Sequence, residues 1–214
     1  MDGIQIACLY SWGCQTTKIL NVENALSDFL KKPYPAPDET NHIAAILEKL
    51  EPQSAYRRNG ILNKRDDFLN EHLIRGYWLG NFISANVIIE TTQTHNYQVL
   101  EKIKRLKDKN ELKKEAIEKL LDCFVTVGLI IEANSDNLSV FHLKLLVEDG
   151  EIILGRQREN ISKGFLSGVK RGDWVTTHVG SGREKISLEQ AKTLKQNILE
   201  VLTNSSIQVP SPVE

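Results

Sequence analysis

The hydrophobic rhythm of the chain changes near residue 120. Before that point apolar residues recur every three or four positions, the spacing of one helix face. Ile4, Ile6, Ala7, Leu9 and Tyr10 form an apolar run. Val22, Ala25, Leu26, Phe29 and Leu30 then fall on a helical stripe, with Asn21 placed to cap it. Pro33, Pro35 and Pro37 predict a helix end followed by extended chain. Ile43, Ile46, Leu47 and Leu50 predict a helix over 41–58, disturbed by Pro52 and closed by the Asn59-Gly60 turn. Phe68, Leu69, Leu73, Ile74 and Tyr77 predict another over 64–79, with Gly80 as its C-cap. Residues 97–121 carry Leu100, Ile103, Leu106, Leu112, Ile117, Leu120 and Leu121 among many charges, with a break expected at Lys107–Asn110. Their alternating Lys and Glu read as a solvated face.

From Asp122 onward the segments are short, β-branched and separated by turn residues. Phe124–Ile131 predicts a strand and Asn134–Asn137 a turn. Leu138–Val147 and Glu151–Arg158 predict two strands joined by Asp149-Gly150, a strong hairpin signal. After a Gly-containing link at Gly164 and Gly168, Arg171-Gly172-Asp173 predicts a turn and Trp174–Val179 a strand, which Gly180-Ser181-Gly182 breaks. Ser187 and Gln190 form a capping box for a helix over 187–204, whose stripe is Ala191, Leu194, Ile198, Val201 and Leu202.

The expected class is therefore α+β: a helical domain over 1–120, a small antiparallel β-barrel with a C-terminal helix over 121–204, and a flexible tail over 205–214. Of 214 residues, 41% are hydrophobic and 26% charged, enough apolar content for a packed core. The net charge of −1 argues against a general electrostatic nucleic-acid binder. The sequence has no apolar run of transmembrane length and no basic n-region ahead of a long apolar stretch, so a soluble cytoplasmic protein is expected. The three cysteines, Cys8, Cys14 and Cys123, read as thiols of a reducing compartment.

Candidate chemistry comes from the two ends of the second segment. Cys123 lies five residues before Gly128 at the opening of the first strand, and Gly-Asp-Trp-Val-Thr-Thr-His-Val-Gly occupies 172–180. These motifs, the Asp149-Gly150 hairpin and the closing helix, in this order over residues 122–204, resemble the HypC/HupF family of nickel–iron hydrogenase maturation chaperones. Val127 stands where that family has a proline, and Cys123 is internal where the family's Cys becomes a terminus. Residues 1–120 resemble an uncharacterised family with a Tyr-Trp-hydrophobic-Gly-Asn segment, here Tyr77–Asn81, often encoded near hydrogenase genes.

The resemblance implies a non-enzymatic OB-like, HypC-like barrel. Its partners would be the large-subunit precursor, a HypD-like assembly protein, or both. An iron-cyanide-carbonyl unit would be held by Cys123 with His178 in support. The pairing is sound chemistry, because a thiolate is a soft ligand and an imidazole can bind metal or hold a neighbour by a hydrogen bond. Tyr77, Trp78 and Trp174 are candidate partner-binding aromatics. His42, His72, His95 and His142 show no ligand spacing and are expected to be structural or at the surface. Cys8 and Cys14, with five residues between them, lack a second pair for zinc. Two other functions compete: a metal-dependent enzyme using the Cys and His groups, and a nucleic-acid-binding small barrel using Arg156, Arg158, Lys163, Lys170 and Arg171.

Overall fold

The computed structural model describes residues 3–13, 21–32, 34–50, 70–80, 94–108, 114–148 and 151–205. It divides the chain into two compact units, Met1–Gln93 and Thr94–Glu214.

In the first unit the described helices are α1 (Gly3–Ser11), α2 (Glu23–Leu30), α3 (Pro37–Lys49) and α4 (Glu71–Leu79). Every residue of α1 except Gln5 is buried, so this apolar run forms a core helix. Tyr10 stacks on Trp78 at 5.4 Å between centroids, and Tyr77 meets Trp78 edge-on at 5.3 Å. Asn70 caps α4 by accepting from Leu73 N–H at 3.1 Å, so the helix starts at Glu71 and does not run on unbroken from 64; Gly80 ends it at φ 75°, where the sequence places the C-cap. Asn21 does not cap α2. Its backbone is left-handed at φ 53°, and Val22 occupies the cap without a side-chain bond. Pro37 begins α3, where a missing N–H costs nothing, and Glu39 accepts from Ala36 N–H at 3.1 Å. The Asn59-Gly60 turn, the beginning of the predicted 64–79 helix and Cys14 lie outside the described residues.

The second unit contains α5 (His95–Asp108), α6 (Lys114–Leu121), β1 (Thr126–Ala133), β2 (Asn137–Glu148), β3 (Glu151–Ser162), β4 (Trp174–His178), β5 (Ser181–Ile186) and α7 (Leu188–Asn204). β2 and β3 pair in register from Asn137↔Ser162 to Glu148↔Glu151, a two-residue connection whose Asp149-Gly150 lies outside the described residues. The pairing order is β1-β2-β3-β5-β4, and β4 pairs back with β1, so the sheet closes on itself. Ile130, Leu138, Val140, Ile161, Leu166 and Val175 form an apolar cluster of this unit. Ser187 caps α7 through Gln190, with bonds of 3.1 Å and 2.8 Å in the two directions.

Three expectations change here. The division falls between Gln93 and Thr94 rather than near 120. Buried Asn96 is one link that holds α5 to the strands: its carboxamide accepts from Val125 N–H at 2.7 Å and donates to Val125 C=O at 2.8 Å, joining α5 to the chain entering β1. The 180–182 break is a strand start: β5 follows directly on a Val179-Gly180 turn. Gly182 allows it, since a Cβ there would collide with Leu166 Cδ1. Finally, the sheet is not wholly antiparallel, because β3 meets β5 in parallel at Ser162↔Ser181. Residues 206–214 of the expected tail are outside the described set.

Candidate functional site

The end of α6 and the end of β4 meet. Val179 N–H donates to Asp122 C=O at 2.8 Å, so the residues beside Cys123 and His178 are joined through the backbone. His95, in the first turn of α5, touches both places. Its Nε2 lies 2.9 Å from Cys123 C=O and its ring crosses that of His178 at 5.5 Å between centroids. Because Cys123 C=O can only accept, His95 Nε2 is the protonated nitrogen. Burial pushes the His95 pKa down to about 4, against the opposing pull of that carbonyl.

The two predicted metal residues thus share a neighbourhood with different accessibility. Cys123 is half-buried, its Sγ 3.9 Å from Lys119 C=O. His178 is only 1% exposed, and Arg183 donates to its backbone carbonyl at 3.0 Å. Among the described residues no group of three or more His, Cys, Asp or Glu side chains is arranged to hold a metal ion. Tyr77 and Trp78 are buried in the core of the first unit, so they pack rather than face a partner. Trp174 is half-buried at the start of β4. Cys8 is buried in α1.

Sequence reasoning set aside His95 and His142, yet both belong to this region. A small open cleft is lined by Asp122, Phe124, Thr126, His142, Glu159 and His178, among others. His142 Nε2 lies 3.0 Å from Glu159 Oε2, and Lys144 Nζ reaches both Glu159 oxygens at 3.1 Å and 3.0 Å and Asp122 at 3.6 Å. With Glu159 Oε2 as the acceptor, the His142 proton sits on Nε2 and Nδ1 is left as an acceptor. Nδ1 faces the Thr126 and Thr177 hydroxyls at 3.4 Å and 3.5 Å, and these lie 2.7 Å apart. Burial lowers the His142 pKa, while Glu159 opposes the shift. Gly128, opposite His142 on β1, makes room for it, because a Cβ there would lie 3.3 Å from His142 Cβ. The legible signal is His142 and Lys144, polar residues two apart inside the leucine-rich run of β2.

Val179 adds strain at the rim. Its φ is 50°, a left-handed conformation disfavoured for a β-branched residue. The Val179-Gly180 pair forms the two-residue connection between His178 and Ser181, where Asn-Gly is the favoured chemistry. Val179→Asn keeps the N–H that bonds Asp122 and is expected to stabilise the protein by about 1 kcal/mol. Urea unfolding checks this, and an unchanged or lower midpoint would show that the turn stores no such strain.

Residues 83–209, more than half of the chain, match the model of a family of unknown function, DUF6390. The chain belongs to that family. The DUF6390 match includes α5, α6, all five strands and α7, and so contains the whole His95–Cys123–His178 neighbourhood. No curated protein and no solved structure matches the chain. Among the described residues no helix is long and apolar enough to cross a membrane.

Proposed function

We propose that this chain is a non-enzymatic accessory protein of nickel–iron hydrogenase maturation, acting in the cytoplasm. In this reading the Thr94–Glu214 unit is a small OB-like barrel of HypC type. It docks the large-subunit precursor, a HypD-like assembly protein, or both. The observation that supports the reading is the meeting of Asp122-Cys123 with His178-Val179 through the 2.8 Å backbone bond, with His95 against both. A half-exposed thiol beside a buried imidazole pair gives a partner one reachable sulfur on a rigid support. His178 serves as a positioning residue, because its ring is covered and meets His95, which bonds the Cys123 carbonyl.

The finer form of the proposal treats an iron-cyanide-carbonyl unit as cargo. Cys123 supplies a soft donor for low-spin iron, and the cargo would have to reach that sulfur directly. The donor set here is one thiol, since His178 is covered, so docking is the primary role and carriage the additional one. Affinity purification of the full chain from the cells that make it tests the docking role. The large-subunit precursor or the HypD-like protein is expected in the eluate and is expected to disappear with Cys123→Ala. Infrared spectroscopy of the same eluate separates cargo carriage, which gives cyanide and carbonyl bands, from docking alone. Purification of the intact, folded chain with neither partner would overturn the proposal.

A further inference from the structure

An apolar row crosses the outside of the sheet. Direct cross-strand partners share a face. Phe141 on β2 is opposite Leu129 on β1, Leu129 is opposite Trp174 on β4, and Trp174 is opposite Ile186 on β5. Phe141 is 43% exposed, Leu129 and Trp174 are half-buried, and Ile186 is buried, so the accessible part of the row runs from Phe141 to Trp174. Leu188, two residues beyond Ile186, is 49% exposed. One position further along the same face the side chains of Val127 and Thr176 are fully covered, so the row marks where the covering elements stop. At strand spacing, four positions span about 15 Å, the width of a short docked segment.

The flanks are basic. Arg158 is the direct partner of Phe141, and Arg156, two residues before it, lies on the same face of β3. Arg158 is bonded to Glu132 and to Ser139, whereas Arg156 is exposed. The turn leading into Trp174 adds exposed Lys170 and Arg171, and Lys185 next to Ile186 pairs with Asp173. Counting Arg156, Arg158, Lys170, Arg171 and Lys185 against Glu132 and Asp173, this region is positive in a chain whose net charge is −1. A partly exposed apolar row with a predominantly basic rim is the pattern of a docking surface, in which the apolar centre supplies affinity and the rim selects by charge.

We infer that this face docks an acidic peptide segment of a partner protein, with apolar side chains seated along Phe141, Leu129 and Trp174 and carboxylates meeting Arg156 and Arg171. The inference deepens the proposed docking function by naming a surface and the chemistry it selects. It rests on that function only for the identity of the partner.

The test is photo-crosslinking in the cells that make the protein, using the full chain with Phe141→p-benzoylphenylalanine and, as a control, the same residue at exposed Ser135. Mass spectrometry of the Phe141 adduct is expected to give a peptide with more Asp and Glu than Lys and Arg. Arg156→Glu with Arg171→Glu is expected to abolish that adduct while leaving the circular dichroism unchanged. An adduct with nucleic acid, with a basic peptide or with a second copy of this chain would overturn the inference, as would labelling no stronger than at Ser135. An acidic peptide from a protein outside hydrogenase assembly would leave the surface standing and remove the hydrogenase reading.

Discussion

Asn96→Ala is expected to cost about 3 kcal/mol of stability, because it leaves two buried backbone groups without their partner. Asn96 is 4% exposed, and its carboxamide is bonded to both the N–H and the C=O of Val125, 29 residues away. No water-filled space is needed to explain the cost, since Val125 itself is fully buried. Asn96→Asp supplies an internal control. Its carboxylate keeps the acceptor for Val125 N–H, loses the donor for Val125 C=O and adds a buried charge, so it should also destabilise, increasingly as pH rises above the carboxyl pKa. Chemical denaturation of both variants measures the effect. A loss below about 1 kcal/mol for Asn96→Ala would show that this residue does not tie α5 to the chain entering β1.

Acid is expected to weaken the same unit over a defined range. His95 titrates at about 4 when folded and near 6.5 when unfolded. Between those values the unfolded chain holds more protons, so stability must fall as pH drops through this window and level off below it. The full difference corresponds to about 3 kcal/mol. His142, also lowered by burial, acts in the same direction. Asp173 is lowered chiefly by its bond to Lys185, so it adds its loss only at lower pH, from the ordinary carboxylate range down to its own depressed pKa. His95→Gln keeps a side-chain donor for Cys123 C=O and removes the titration. Its thermal midpoint is expected to vary less between pH 7 and pH 4 than that of the unsubstituted protein. An equal slope in both proteins would place the acid sensitivity elsewhere.

Legibility in the sequence followed the physical scale of each feature. Local signals were readable because local chemistry produces them. The Ser187–Gln190 box, the Asn134–Asn137 turn, the Gly80 cap and the β2–β3 pairing across Asp149-Gly150 each depend on residues a few positions apart. β5 was hidden because its Ser-Gly-Arg-Glu sequence reads as loop. Arg183 and Glu184 are buried there by tertiary packing, which no local pattern reports. The grouping of α5 with the strands was not legible because His95 and Asn96 sit in a charged helical stretch, and no local pattern reports their bonds to Cys123 and Val125. Tyr77 and Trp78 could have faced solvent or core on sequence alone, and stacking on Tyr10 decides for core. In the site, Cys123 and His178 were visible as motif residues. His95 was not, because a lone histidine at a helix start carries no sign of the carbonyl and ring that it will meet.

The covered His178 and the half-exposed Cys123 make the thiol the group on which the proposed function turns. Isothermal titration calorimetry of the full purified chain with the purified hydrogenase large-subunit precursor addresses it directly, with the HypD-like protein titrated in parallel. A saturable complex with at least one of the two is predicted, with a dissociation constant of about 1 μM or tighter, weakened at least about tenfold by Cys123→Ala, a loss of about 1.4 kcal/mol. Absence of binding to both proteins, or equal affinity for the Cys123→Ala chain, would contradict a docking role centred on Cys123.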